Sequence, residues 1–128
     1  MNNLFLNIAI VATGGAFGAT LRYLMGLGIV SLLGKGFPFS TLSVNILGSF
    51  IMGIIFQSVQ QGALVQSPWW PLIGVGFLGA LTTFSSFSLD TLLLMQQGEL
   101  VKAILNVLLN VIICIIAVYL GSLLVTRG

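Results

Sequence analysis

Residues 82–88 combine hydroxyl groups and aromatic rings in a run that reads T-T-F-S-S-F-S. Phe84 and Phe87 are spaced i, i+3 and therefore share one face of a helix. Hydroxyls donate hydrogen bonds and the edges of aromatic rings carry partial positive charge, so the run offers neutral groups that attract an anion. Because unpaired polar groups are costly among lipid chains, we expect this run to line a polar path or a subunit contact.

Two further polar stripes follow from helical spacing. Thr41, Asn45 and Ser49 recur every fourth residue, and Asn106 and Asn110 do the same. Such donors suit a small anion that must exchange its water shell for protein contacts without being trapped by a full countercharge. Alternatively, these groups only hydrogen-bond between helices, at roughly 0.6 to 2 kcal/mol each. The alignment of three stripes in a short chain favours a pathway.

The ionisable residues exclude most catalytic chemistry. The chain has no histidine, its only acids are Asp90 and Glu99, and its single cysteine is Cys114. It therefore offers no His/Cys metal site, no Ser/His/Asp triad and no paired carboxylates, and we expect no enzymatic activity. The net charge of +2 gives no reason to expect a nucleic-acid partner.

The composition places these groups in a lipid bilayer. Hydrophobic residues make up 58% of the 128 residues and charged residues only 5%, whereas soluble domains carry about a quarter charged residues. A helix needs roughly 20 apolar residues to cross a membrane. We predict an all-α membrane protein with one domain over residues 1–128 and four transmembrane helices, at about residues 4–33, 39–59, 70–95 and 100–125.

The third predicted helix contains residues that weaken a helix. Gly74, Gly76 and Gly79 precede the paired Thr82 and Thr83. Glycine entropy and competing hydroxyl hydrogen bonds predict a break near residues 79–83, close to mid-membrane. Carbonyl oxygens freed there could bind a hard cation. The alternative is an unbroken glycine-rich helix packed closely on its neighbours.

The few charges and the small size of the chain predict association of two copies. Lys35 and Lys102 lie on one predicted side and Arg127 with the α-amino group on the other, so the positive-inside rule orients the chain only weakly. We therefore expect dual topology with antiparallel pairing. Four helices also leave few faces to line a conduit within one subunit. The spacing of Gly14 and Gly18 predicts close helix packing.

Three segments resemble the signatures of the Fluc, or CrcB, family of fluoride channels. They read G-G-A-F-G-A-T-L-R-Y at residues 14–23, S-T-L-S-V-N-I-L-G at residues 40–48 and G-F-L-G-A-L-T-T-F-S-S-F-S at residues 76–88. The resemblance covers essentially the whole chain. It implies an antiparallel, dual-topology homodimer with two pathways, through which toxic fluoride leaves the bacterial cytoplasm passively across the inner membrane.

The resemblance also implies roles for particular residues of the pathway. Asn45 matches the pore-facing amide of the second helix. Phe84 and Phe87 match the phenylalanine pair whose ring edges meet fluoride, with Ser85 and Ser86 at the neighbouring hydroxyl positions. Thr41 joins the pathway through its stripe with Asn45, whereas the fourth-helix positions vary in the family, so Asn106 and Asn110 rest mainly on their own stripe.

A cation site and a vestibule are implied in the same way. The carbonyls of Gly79 and Thr82 match those that hold a structural sodium ion at the dimer centre. Arg22 matches a first-helix arginine near an anion vestibule. This chain departs from the family in Ala80, where glycine is common, and in Ser86, where threonine is common.

Two other functions are compatible with a short four-helix chain. A proton-coupled small multidrug transporter needs a membrane-embedded carboxylate, for which Asp90 is the one candidate because the first helix has none. A noncatalytic assembly subunit would only pack against partners and would tolerate substitution of Asn45 and Phe84. A paired heteromeric partner is the alternative to the homodimer.

Overall fold

The computed structural model describes residues 4–127, without the side chain of Arg127, and its regular secondary structure is helical. Four helical spans are long and apolar enough to cross a membrane, which confirms the predicted all-α membrane protein. The spans are Leu4–Leu33, Phe39–Gln60, Gln66–Gln96 and Leu100–Thr126, called the first to fourth spans below. The third starts earlier than predicted, because a short helix precedes its apolar part. The α-amino group and the Arg127 side chain, used to predict dual topology, lie outside the described residues.

Glycines with left-handed backbone end three of the helices. Gly34, Gly62 and Gly98 have φ angles of 79°, 77° and 77°. A residue with a side chain is strained in this conformation, whereas glycine adopts it freely and lets the chain leave the helix. The three connections therefore fall in the segments that the sequence indicates.

The third span is divided into sections with different backbone geometry. A π-helical section, Trp70–Leu78, leads into one short helical turn, Gly79–Leu81. Thr82 and Thr83 then have extended backbone, with ψ angles of 155° and 119°. The α-helix resumes as Phe84–Gln96. The helical hydrogen-bond pattern is thus interrupted at the two threonines, which we call the threonine interruption.

The fourth span contains a π-helical section around one of the predicted pathway residues. Leu109–Ile113 separates the α-helices Leu100–Leu108 and Cys114–Arg127, and Asn110 lies inside it. Short π-helical sections alter the direction in which side chains leave a helix and are frequent at functional sites.

Glycines allow the first and third spans to pack backbone against backbone. A Cβ atom at Gly14 would collide with the carbonyl oxygen of Leu72, and one at Gly18 with the carbonyl oxygen of Phe77. From the other side, a Cβ at Gly76 would lie 2.7 Å from the Val11 oxygen. The predicted packing role of the Gly14 and Gly18 spacing is therefore confirmed.

The second and fourth spans pair by the same means. A Cβ at Gly53 would collide with the Val118 carbonyl oxygen, and one at Gly121 with that of Phe50. The two span pairs meet at a buried cluster of Val44, Leu78 and Leu81. This cluster directly precedes the threonine interruption and fixes its position relative to the second span.

Candidate functional site

Asn45 of the second span replaces the missing helical partner at the threonine interruption. In an α-helix the Thr83 N–H would bond to the carbonyl of residue 79. Here it donates instead to Asn45 Oδ1 at 2.8 Å. Asn45 Nδ2 donates in return to the Thr83 carbonyl at 3.2 Å and to Asn110 Oδ1 at 2.9 Å. One amide therefore satisfies both backbone groups of Thr83 and links three spans.

Thr83 also caps the helix that follows it. Its Oγ1 accepts a hydrogen bond from the Ser86 N–H at 3.1 Å, as an N-cap side chain does. Its Oγ1 lies 3.2 Å from the hydroxyl oxygen of Ser85. The cap explains why the helix resumes at Phe84 and why the hydroxyls of this segment are clustered.

The interruption redirects the donors that would otherwise cover two carbonyls. The N–H groups of Thr83 and Ser86 are the helical donors to the carbonyls of Gly79 and Thr82, and both donate to side chains instead. Carbonyl oxygens released in this way are suitable ligands for a hard cation such as sodium. Gly79 is also exposed on the subunit surface. The chain thus fits the predicted cation site with neutral oxygens.

Arg22 of the first span reaches the same interruption. Its Nε donates to the Ala80 carbonyl at 2.9 Å, so the guanidinium satisfies a further backbone oxygen of the last helical turn. Arg22 also lines a cavity of about 390 Å³ together with Lys35, Thr41, Thr83 and Ser86. Two cationic side chains and five hydroxyl-bearing residues therefore line this cavity, a combination that attracts anions.

A second cavity, of about 440 Å³, contains four of the predicted pathway residues. It is lined by Asn45, Phe84, Phe87 and Asn110, among others, and shares Thr83 with the cavity beside Arg22. We call it the amide cavity. Seven of the pathway and vestibule residues predicted from the sequence thus line one of two cavities that meet at the interruption.

The two phenylalanines of the amide cavity contact each other. Their ring centroids lie 5.3 Å apart at an interplanar angle of 65°, an edge-to-face arrangement. Phe87 is 8% exposed, whereas Phe84 is 76% exposed on the single subunit. One ring is therefore fixed by packing within the subunit, and the other is open to a partner or to lipid.

The remaining predicted residues do not line the amide cavity. Asn106 is 0% exposed and lies behind Asn110. Asn110 Nδ2 donates to the backbone carbonyl oxygen of Asn106 at 2.9 Å and to Asn106 Oδ1 at 3.0 Å. Ser85 is exposed beside the cap of Thr83. Asp90 lines a third cavity, of about 390 Å³, with Lys35 and Thr41.

Two residues of the site were given no site role from the sequence, although Thr83 belongs to the predicted helix break. Thr83 contributes its backbone and its hydroxyl, and its position just before an apolar helix is the usual signal of an N-cap. Thr91 accepts a hydrogen bond from Asn106 Nδ2 at 2.9 Å. No spacing rule relates Thr91 to the fourth span, because the pair is formed across two helices.

Comparison with known proteins gives consistent matches over nearly the full length. The family model described as "CrcB-like protein, Camphor Resistance (CrcB)" matches residues 9–122. A protein of Shewanella pealeana named "Fluoride-specific ion channel FluC" is 59% identical over 93% of this chain and 95% of its own length. Proteins of the same name from Aliivibrio salmonicida and Photobacterium profundum are 56% and 53% identical, over 93% and 97% of this chain and 94% and 98% of their own lengths. The resemblance seen in the sequence motifs is thereby confirmed, and the chain belongs to the CrcB family.

Proposed function

We propose that this protein is a passive, fluoride-selective ion channel that exports fluoride across the bacterial inner membrane. The observation that carries the proposal is the amide cavity, in which two amides and two phenylalanine rings lie among apolar side chains, in a chain that is 53–59% identical to proteins named fluoride-specific ion channel. The protein is accordingly a channel and not an enzyme. It transports an ion without covalent chemistry, which agrees with the lack of histidine and of paired acids.

Entry of fluoride begins at the cationic cavity beside Arg22. Coulomb attraction by Arg22 and Lys35 raises the local concentration of anions there. The Nε of Arg22 donates to the Ala80 carbonyl, which holds the guanidinium in place. Its terminal N–H groups then serve as donors to the anion. Hydroxyls of Thr41 and Ser86 then replace part of the water shell.

Fluoride passes into the amide cavity by competing with weak internal hydrogen bonds. Asn45 Nδ2 makes its longest contact, 3.2 Å, with the Thr83 carbonyl. A fluoride ion is a stronger acceptor than a carbonyl oxygen and can take over this N–H. The edges of Phe84 and Phe87 supply partial positive charge without a countercharge that would trap the ion. Asn110 continues the polar surface on the fourth span, and the buried Asn106 supports it from behind by accepting its N–H.

We further propose an antiparallel, dual-topology homodimer with two pathways and a structural sodium ion at its centre. One subunit offers the two released carbonyls of Gly79 and Thr82, and a two-fold axis beside them would double that number. The exposure of Gly79 and Phe84 on the single subunit supports a partner at this surface. The threonine interruption would then lie at mid-membrane, where uncovered carbonyls require a cation or a protein partner.

The two alternative functions make different predictions. A multidrug transporter depends on an embedded carboxylate, so Asp90→Asn would abolish drug resistance; the relatives' name and the neutral cavity favour a channel instead. A packing subunit would be insensitive to changes at Asn45 and Phe84.

The experiment that tests the proposal is fluoride efflux from liposomes that contain this protein alone. Vesicles are loaded with potassium fluoride or, in parallel, potassium chloride, and release is started with valinomycin. We expect rapid fluoride release and little chloride release. No release from folded, monodisperse protein would contradict a channel formed by one gene product, and equal release of both anions would contradict fluoride selectivity.

A further inference from the structure

A continuous chain of hydrogen bonds joins the two ends of the first turn after the threonine interruption. The chain starts at the Thr83 N–H, which donates to Asn45 Oδ1 at 2.8 Å. Asn45 Nδ2 donates to Asn110 Oδ1 at 2.9 Å, and Asn110 Nδ2 to Asn106 Oδ1 at 3.0 Å. The last two bonds involve Thr91, which accepts from Asn106 Nδ2 at 2.9 Å and donates to the Phe87 carbonyl at 2.9 Å.

Backbone groups fix the direction of this chain at both ends. A backbone N–H can only donate and a backbone carbonyl can only accept. With Thr83 as the donor end and Phe87 as the acceptor end, each amide between them has one allowed orientation. Reversing any single amide would place two N–H groups or two oxygens against each other, and the error would propagate to both neighbours.

The fixed direction determines which atoms are left for an anion. Each amide oxygen in this chain of hydrogen bonds accepts a bond from a donor within it, so the groups that remain able to bind an anion are N–H groups. Asn45 and Asn110 line the amide cavity, whereas Asn106 and Thr91 lie behind them and do not. An amide oxygen turned toward the cavity would repel fluoride instead.

We infer that Thr91 is a positioning residue of the pathway, whose hydroxyl accepts an N–H of Asn106 and holds the Asn106 amide oxygen toward Asn110. It thereby supports the orientations that backbone groups of Asn106 and Thr83 give to Asn110 and Asn45 directly. The inference rests on the proposed fluoride channel and adds a residue that does not touch the ion. Thr91 is suited to the task because its hydroxyl accepts and donates at once, which a backbone carbonyl cannot do. The bond from Thr91 to Phe87 uses the hydroxyl proton and leaves its lone pairs for Asn106.

The test compares two substitutions that separate shape from hydrogen bonding. Thr91→Val keeps the branched shape and removes the hydroxyl, whereas Thr91→Ser keeps the hydroxyl and removes a methyl group. With Thr91→Val we expect fluoride efflux to fall about tenfold, the effect of one buried hydrogen bond, and the ratio of fluoride to chloride release to fall with it. With Thr91→Ser we expect efflux within about fourfold of the unchanged protein, the effect of one buried methyl group.

A matched control carries the same change at a distance from the site. The Thr126 hydroxyl donates to the Ser122 carbonyl at 2.9 Å, four residues back, as Thr91 does to Phe87. Thr126→Val should leave efflux and selectivity unchanged. If Thr91→Val does not elute from a sizing column as the unchanged protein does, Thr91→Ala takes its place in the comparison with Thr91→Ser.

The ranking of the variants decides the inference. If Thr91 only packs, valine should substitute better than serine, and that ranking would overturn the inference. An unchanged ratio of fluoride to chloride release in Thr91→Val would overturn it as well. If the unchanged protein releases fluoride and Thr91→Val releases it equally well, the inference fails while the channel stands. If the unchanged protein releases no fluoride, the proposed function fails and the inference with it.

Discussion

Asn45→Asp tests whether the donors of this amide carry fluoride conduction. The substitution replaces NH₂ by oxygen and leaves the shape of the side chain unchanged. The accepted bond from the Thr83 N–H, 2.8 Å long, can persist. The two donated bonds, to Asn110 Oδ1 at 2.9 Å and to the Thr83 carbonyl at 3.2 Å, become contacts between oxygens. The substitution thus removes the donors, keeps the acceptor and adds a negative charge.

The size of the effect follows from these two bonds. Each buried hydrogen bond contributes about 1 kcal/mol, and acceptors left without a donor add to the loss, for a total of about 3 kcal/mol. At 1.36 kcal/mol for each factor of ten, fluoride efflux should fall about a hundredfold. The negative charge beside the pathway acts in the same direction, because it repels the anion.

The assay is valinomycin-started fluoride efflux from liposomes, at equal amounts of folded protein. Ser58→Ala is the matched control on the same span, since it removes a hydrogen bond to the Ile54 carbonyl and lines neither of the two cavities that meet at Thr83. Its efflux should equal that of the unchanged protein. Efflux from Asn45→Asp within threefold of the control would refute the argument that amide donors carry the ion.

Three further outcomes are expected from the same structure. Phe84→Ile removes the exposed ring and should abolish fluoride efflux while chemical cross-linking still detects the dimer; retained efflux would contradict a role for the ring edge. Gly18→Ala places a methyl group against the Phe77 carbonyl and should lower the free energy of unfolding by about 1 to 3 kcal/mol, seen as a lower unfolding temperature in detergent. Gly28→Ala, with nothing within 4 Å of the added atom, should leave the unfolding temperature unchanged. Equal losses of stability in the two variants would contradict the close packing described for Gly18. Replacing all sodium by an organic cation should slow efflux, and restored sodium should recover it; efflux indifferent to sodium would contradict the cation site.

Hydropathy and spacing were sufficient for the spans and for much of the site. The four apolar stretches became helices because each is long enough to cross the membrane and because the left-handed glycines lie between them. The i, i+3 spacing of Phe84 and Phe87 placed their rings in contact. Periodicity worked here because it depends only on the geometry of one helix.

Contacts between helices could not be predicted in the same way. The spacing of every fourth residue placed Asn45 on a polar helix face. Nothing in the sequence indicates that its amide would form hydrogen bonds with the backbone of Thr83. Arg22 was expected beside a vestibule, and its bond to the Ala80 carbonyl depends on where the helix ends. Such pairings are decided by the relative positions of the spans, which local sequence does not encode.

The pair of hydrogen bonds between the Asn45 amide and the Thr83 backbone has a consequence for biosynthesis. Asn45 belongs to the second span, whereas its partners Thr83 and Asn110 belong to the third and fourth, which leave the ribosome later. When the second span enters the bilayer its amide has no partner yet, and a polar group in hydrocarbon is costly. The amide therefore favours docking of each later helix as it arrives, and the amide cavity, which Asn110 also lines, is completed only with the last helix of the chain.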